Sequence, residues 1–476
     1  MAIADSLRWT GAPERARIGA GAVLVLGAEL VLGATVATGY RQLALLAVFG
    51  AVGAYVVVRA PFAASVALLV IVASVLSGSS PRISVAGREI LPYEPLLVLL
   101  LGVAALRPQR RSWGGGVGLA LALFLGMLAL SSALAVRVRG ADLNTVMLWG
   151  RGYVVLAFFW VVVRLFPSRR DLMRLLAAAA LIGGLTGVVS LIFSLGVSPD
   201  LLIPDAGENL ISHEGAGSLL RVRLPGLALA FMLLPLMLYL VASGHRPRLL
   251  WGAALTGSLL AVLVSFNRNM WVAGLLGTSL LLALVGPQAR GRVLASIATL
   301  LAALALLLAL PPTSESVSHA LTPLVKRGST LLNPSKVEGE DSLQDRSRET
   351  RVAWETAQRH LGFGIAPGVS WGSYSTDLSS GVAVRTPQLF LHNQYLYLLV
   401  ITGVPGLICF VAYLLGAASS GLSRSRRRPV LATLGVAMVM LMLTAAVMLS
   451  LSDTSYLVAI ALVTGAIVAL RAEDVV

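Results

Sequence analysis

Charge is what this chain has least of. Asp, Glu, Lys and Arg together make up 12% of its 476 residues, against 57% hydrophobic ones, and the mean hydropathy is +0.85. That shortage excludes an ordinary soluble domain, in which about a quarter of the residues are charged. Lysine occurs only at Lys326 and Lys336, so the basic character is almost wholly arginine, and arginine abundance alone is not read as phosphate binding. Cysteine is a single residue, Cys409, inside an apolar run, which excludes an intrachain disulfide. No Gly-rich loop ends in Lys followed by Ser or Thr, and no Asp-x-Asp pair offers two carboxylates to a divalent cation. The five histidines, His213, His245, His319, His360 and His392, are scattered, and none pairs four residues apart. No metal site and no cofactor are therefore expected, and no serine-type triad has a local signature. No small-residue cleavage site follows Arg8, Arg15, Arg17 and the apolar stretch after them, so this stretch reads as a first span and not as a signal peptide.

What is present is hydrophobic length. Runs of about 20 apolar residues recur from end to end, each long enough to cross a hydrocarbon core of roughly 30 Å. They are continuously apolar and do not alternate, which excludes an outer-membrane barrel. The expected fold class is an all-α polytopic membrane protein with about 12–14 transmembrane helices, a single integral-membrane domain over 1–476. Fourteen spans are counted: 18–38, 42–58, 61–78, 91–106, 116–136, 145–165, 172–195, 224–243, 250–266, 270–286, 293–311, 391–419, 430–451 and 456–471. The net charge of +15 would raise nucleic acid in a soluble chain. Here it follows the rule that cytoplasmic loops collect arginine, and no nucleic-acid partner is expected. With the N-terminus inside, the inner connections carry Arg59; Arg107, Arg110 and Arg111; Arg169 and Arg170; Arg246 and Arg248; Arg290 and Arg292; and Arg424, Arg426, Arg427 and Arg428. The outer loops hold Asp142, Asp200, Asp205, Glu208 and Glu214.

That orientation puts three polar features on the outer face: a loop at 196–223, a tight turn at Asn267-Arg268-Asn269, and a long loop at 312–390. The long loop is too polar for hydrocarbon and must cover whatever the spans leave open. Within it, Ser342 to His360 lacks Gly and Pro and carries Val352, Ala353 and Ala357 on one side, which predicts an amphipathic helix. The loop ends at His392-Asn393-Gln394, where the chain turns apolar again.

Each candidate residue has a plain structural alternative. Arg268 beside Trp271 is equally a belt residue that snorkels to the interface, and Arg223 the charged end of a span, with Arg221 two residues before it. Arg151 lies about two turns inside its span. Such depth calls for a partner or a wet cavity, and pairing with a buried acid such as Glu29 or Glu94 is favoured slightly over anion binding. An interfacial histidine is more often structural than catalytic. His392, however, closes the large loop, and imidazole titrates near neutral pH as a general base requires.

His392-Asn393-Gln394-Tyr395-Leu396 followed by Gly403-Val404-Pro405-Gly406 resembles the His-Asn/Ser-x-x-Leu…Gly-x-x-Gly signature of the O-antigen ligase and O-antigen polymerase superfamily. Arg346 with the Gly364-Ile365-Ala366-Pro367-Gly368 turn is similar to that family's loop arginine and Gly-rich turn. Ser265 to Trp271 is similar to its Ser-Arg turn, and Arg223-Leu224-Pro225-Gly226 to its Arg-Leu-x-Gly opening of a span. Two departures stand out. Thr350 takes the place of a tryptophan expected after the loop arginine, with Trp354 one turn later, so Arg346, Arg348 and Arg351 all stay candidates. The span count also exceeds the family's usual dozen or so. The resemblance implies a GT-C-type glycosyltransferase of the bacterial inner membrane; the loop charges put both termini in the cytoplasm and the site on the periplasmic or extracellular side. Its donor would be a glycan on a polyprenyl diphosphate, and its acceptor a sugar hydroxyl on a lipid-borne or growing glycan. His392 would be the general base; Arg223, Arg268 and Arg346 would hold the diphosphate; Arg151, Arg221, Arg348, Arg351, Asn393 and Gln394 are secondary candidates. A polysaccharide polymerase with the same chemistry is the near alternative, and a lipid-linked-glycan flippase the distant one.

Overall fold

The computed structural model describes residues 53, 55–73, 83–85, 88–107, 113–194, 211–212, 221–309, 341–377, 383–387, 389, 391–423, 427–447 and 453–472. Their helices are α1 (Pro61–Ala73), α2 (Tyr93–Leu106), α3 (Gly115–Arg139), α4 (Leu143–Gly150), α5 (Phe158–Leu165), α6 (Arg169–Ser194), α7 (Leu227–Ala242), α8 (Arg248–Val264), α9 (Arg268–Leu284), α10 (Pro287–Ala309), α11 (Asp341–Arg359), α12 (Gln394–Leu422), α13 (Pro429–Ala445) and α14 (Thr454–Ala472). A tight helical stretch, Arg151–Ala157, joins α4 to α5 into one span. Three two-stranded hairpins lie between helices: Ile83–Val85 with Arg88–Ile90, Ile211–Ser212 with Arg221–Val222, and Ser373–Asp377 with Ala383–Pro387. The chain is an all-α multi-pass membrane protein. Twelve of the fourteen expected spans fall on described helices; 18–38 lies outside the described residues, and 42–58 almost wholly so.

Composition sorts the helices into layers. On α7 every side chain but Tyr239 and Val241 is buried, and α13 and α14 are nearly as deep. These three make the centre. On α3, Leu119, Leu123, Leu130 and Val138 are exposed, as a helix facing lipid requires. Small residues set the closest crossing. Gly183, Gly184 and Gly187 of α6 lie against Ala230 of α7 and Ala254 and Gly257 of α8, where a Cβ would strike backbone. Lipid gives apolar helices no reason to associate by burial, so close packing of this kind carries their association.

Among the described residues two spans are interrupted, a feature the sequence reading did not anticipate. The first break is at Arg151–Ala157. The second, in α12, explains both glycine motifs. Pro405 has no N–H to give the Ile401 carbonyl four residues back, and Gly403 (φ 71°, ψ −175°) leaves helical geometry altogether. The turn after α11 fills the gap. Ile365 N–H donates to the Val400 carbonyl at 2.8 Å, Ala366 N–H to the Ile401 carbonyl at 3.0 Å, and Val404 N–H to the Leu361 carbonyl at 2.8 Å. The Ser131 hydroxyl gives Ile401 a second donor at 2.6 Å. A Cβ on Gly364 (φ 67°) would meet the Ile401–Thr402 peptide, and one on Gly403 the Gly362 carbonyl. Gly362–Gly368 and Gly403–Gly406, read separately in the sequence, are two halves of one clasp. It ties the tail of α11 to the middle of α12.

Candidate active site at the head of α12

The expected amphipathic helix is present as α11, Asp341–Arg359. Glu349, Ala353 and Ala357 are its buried stripe, at 3%, 0% and 0% exposure, spaced by one helical turn each. This stripe packs on α12, and Arg346, half-buried, begins it one turn before Glu349. Arg348 and Arg351 are exposed. Of the three loop arginines, Arg346 is thus the one on the face that meets the membrane helices.

Glu349 is the acid that the sequence reading missed. Its Oε2 lies 2.8 Å from His392 Nδ1, within hydrogen-bond reach. The Glu349 side chain is 4% exposed, whereas the His392 side chain keeps 39% of its surface. The carboxylate is shut in behind the imidazole, and the imidazole is open to a substrate. The signal lay in the helix period: an acid at 349 falls on the stripe of Ala353 and Ala357, where an apolar residue is the ordinary occupant.

The neighbours of His392 have defined tasks. Asn393 caps α12, its Oδ1 accepting the Leu396 N–H at 3.1 Å. Gln394, fully buried, donates from Nε2 to the Tyr153 hydroxyl at 3.4 Å. Both are thereby tied to holding the head of α12. Arg151 lies 3.8 Å from Glu94, the pairing that the sequence reading preferred; Glu94 also accepts the Leu91 N–H.

The segments that carry the two span-end arginines pack together from elsewhere in the chain. Val222 and Leu224, on either side of Arg223, pack with Phe193 and with Val264, which leads into the turn before Arg268. In that turn Phe266 takes a positive φ of 48°, and Asn267 Oδ1 accepts the Asn269 N–H at 3.2 Å to cap α9. The Trp271 indole donates to the Val262 carbonyl, bracing the same turn. Arg268 opens α9 and is half-buried; Arg223 is exposed. Tyr456 at the head of α14 joins the two sides. Its hydroxyl reaches Met270 Sδ at 3.8 Å, and the charge of Arg223 lies within electrostatic reach of it. Gly152 packs on Thr454 and Leu457 of the same helix head, next to the Tyr153 that holds Gln394. Arg221 lies in a strand opposite Ser212.

Chain neighbours and contacts therefore lead from Glu349 and His392 through Gln394, Tyr153 and the head of α14 to Met270, with the Arg223 charge within electrostatic reach of Tyr456. They line one end of the bundle, where α9, α12 and α14 begin. The turn of 362–368 closes the flank. Arg139 Nη1 donates to the Gly364 carbonyl at 2.8 Å, and its Nη2 lies 3.5 Å from His360 Nδ1. Burial first, and the Arg139 and Arg359 charges after it, hold the His360 imidazole below its usual range.

Residues 251–411 match the family described as O-Antigen ligase, a segment that runs from α8 through α11 and the clasp to the second half of α12. No curated protein matches the chain. Arg268, Arg346, Glu349 and His392 all fall inside the segment, residues 251–411, that is similar to the O-Antigen ligase family.

Proposed function

We propose that the chain is a GT-C-type, inverting glycosyltransferase that moves a glycan from a polyprenyl diphosphate to a sugar hydroxyl of an acceptor. The observation that carries this reading is the 2.8 Å contact of His392 with Glu349 on a face that Arg346 shares. A diphosphate is already a good leaving group, so the reaction needs no strong acid. It needs cations where negative charge grows and a base for the incoming hydroxyl. Guanidinium groups fork onto phosphate oxygens and stay charged at any working pH, so Arg223, Arg268 and Arg346 supply the first without a metal. His392 supplies the second. It takes the hydroxyl proton as the acceptor oxygen bonds to the anomeric carbon and the diphosphate departs with its electron pair, which inverts that carbon. The lipid tail of the donor lies among the apolar spans, and α11 with its clasp keeps water from the donor.

The site lies at the end opposite the arginine-rich connections, so by the positive-inside rule it faces the periplasm or cell exterior and both termini are cytoplasmic, in a bacterial inner membrane. Ligase and polymerase share this chemistry and differ in acceptor; the ligase reading follows the matched family.

The test is transfer by purified protein in detergent, with polyprenyl-diphosphate-linked glycan and the lipid fraction of the native host. The expected result is joined product from the native chain and a loss of at least about 100-fold in His392→Ala, the scale of general base catalysis. Normal transfer by His392→Ala removes the base assignment. A flippase is the second reading, favoured by the two interrupted spans, since transporters bind cargo at broken helices. Against it, the break at Gly403 has its carbonyls Val400 and Ile401 already engaged by backbone N–H groups. Absence of any joined product, with donor crossing a vesicle bilayer, is the result that favours the flippase.

A further inference from the structure

The base of the proposed reaction is built from two parts of the chain that lie 43 residues apart. His392 comes from the head of a membrane span, and Glu349 from a helix of the polar loop. We propose that Glu349 is a positioning residue, which fixes the His392 imidazole in the tautomer that carries hydrogen on Nδ1 and leaves Nε2 as the proton acceptor. This inference rests on the transferase reading and deepens it.

The geometry carries it in three steps. A carboxylate offers only acceptors, so the short contact at Nδ1 is made when Nδ1 carries the hydrogen. The two ring nitrogens lie on different edges, so Nε2 is then the nitrogen that keeps its lone pair, on a ring that is 39% exposed. A carboxylate with 4% of its side chain exposed is also costly to keep unless something uses its charge. The charge has a use once the hydroxyl proton reaches Nε2. The ring becomes an imidazolium, Nδ1–H keeps donating to Glu349, and the carboxylate offsets the new positive charge. The proton stays on the histidine until solvent removes it, and Glu349 is unchanged at the end of the turnover.

The clasp supplies the precision. Glu349 lies two turns before Ala357 on α11, and His360 N–H, just past the end of that helix, and Gly364 N–H continue the chain of hydrogen bonds into the turn that is seated on Val400 and Ile401. These carbonyls are two turns along α12 from His392. Both ends of the lever are thus fixed to the same helix, and the carboxylate meets the ring in one register.

Two measurements test this. The first needs no substrate. In protein labelled with ¹⁵N-histidine, the five histidines are few enough for the His392 signals to be assigned with His392→Ala. In alkaline buffer the native ring shows hydrogen on Nδ1. In Glu349→Gln the amide can donate to Nδ1 instead, and a population with hydrogen on Nε2 appears. The second is transfer kinetics: Glu349→Gln lowers kcat by roughly 10²- to 10⁴-fold, the range for disabling a histidine base or its orienting acid. Donor KM changes little, and Glu349→Asp restores part of the rate. Native kcat in Glu349→Gln, with His392→Ala inactive, overturns the positioning role and leaves the base in place. Full transfer by His392→Ala overturns the reading beneath it. Should Glu349→Gln not fold, a native ring with hydrogen on Nε2, or Glu349→Asp transferring no better than His392→Ala, overturns the proposal equally.

Discussion

At one end of the bundle, Arg164 reaches the carbonyls of Ala104 and Arg107 at the tail of α2. Arg107 reaches Leu165 at the tail of α5, and Arg428 reaches Leu470 near the tail of α14. At the other end, Arg268 opens α9, and Arg223 sits beside the head of α14. The helix ends that these side chains reach differ in sign, although each end of the bundle carries both heads and tails: Arg428 itself N-caps α13, and Arg139 ends α3 beside the site. A helix tail presents carbonyls and partial negative charge, so a cation there is welcome. A helix head presents N–H groups and partial positive charge, so a cation there adds to charge of its own sign, and the combination suits an anion. Arginine at the first end is part of the scaffold. At the second it concentrates positive charge where a diphosphate is proposed to sit.

Five substitutions would break or sharpen that contrast. The largest effect is expected at the site end from His392→Ala, which should abolish transfer while membrane insertion and the detergent-solubilised elution profile stay native. Next come Arg223→Ala and Arg268→Ala. Each should raise donor KM by roughly tenfold or more, the worth of a charge-assisted hydrogen bond; unchanged donor affinity in both would reject the diphosphate clamp. At the opposite end the order reverses. Arg164→Ala removes a guanidinium that is 7% exposed and bonds two carbonyls, and should cost about 2 kcal/mol of stability. Transfer per folded molecule should stay native. A drop in turnover without a drop in Tm would show that the two ends are not separate in function. The smallest effect concerns His360. Its imidazole is held low by burial and by two arginines, so folding favours the neutral ring. The unfolded chain binds the extra proton as pH falls through 6.5, and stability declines there. His360→Gln should flatten that acid-side decline in Tm slightly and leave transfer within a few-fold of native.

Much of the fold was legible because lipid leaves few choices: an apolar run of sufficient length is a helix. Of the long loop, Ser342 to His360 was legible as a helix because nothing in it breaks one and its small residues recur on one side. The breaks were harder to see. Pro405 and Gly403 announced a fault in α12, but what repairs it, the peptide run 361–366, is some forty residues earlier and carries no mark of its target. Glu349 was missed for a related reason. As one acid among Arg346, Arg348 and Arg351 it reads as a solvated charge, and only packing distinguishes the face that is buried. Asn393 and Gln394 were read beside the site as polar candidates. The one caps a helix and the other bonds Tyr153, uses that depend on where the helix begins and what lies across from it.

The clasp between 361–366 and the kink of α12 also constrains how a substrate arrives. To lift the loop away from the membrane would strip Val400, Ile401 and Val404 of their backbone partners at a depth where no water replaces them, at several kcal/mol for each group left bare. The cover is riveted to the floor it protects. On the proposed transferase reading, a lipid-borne donor is expected to enter sideways between spans in the plane of the bilayer, with residues 361–366 still seated on α12.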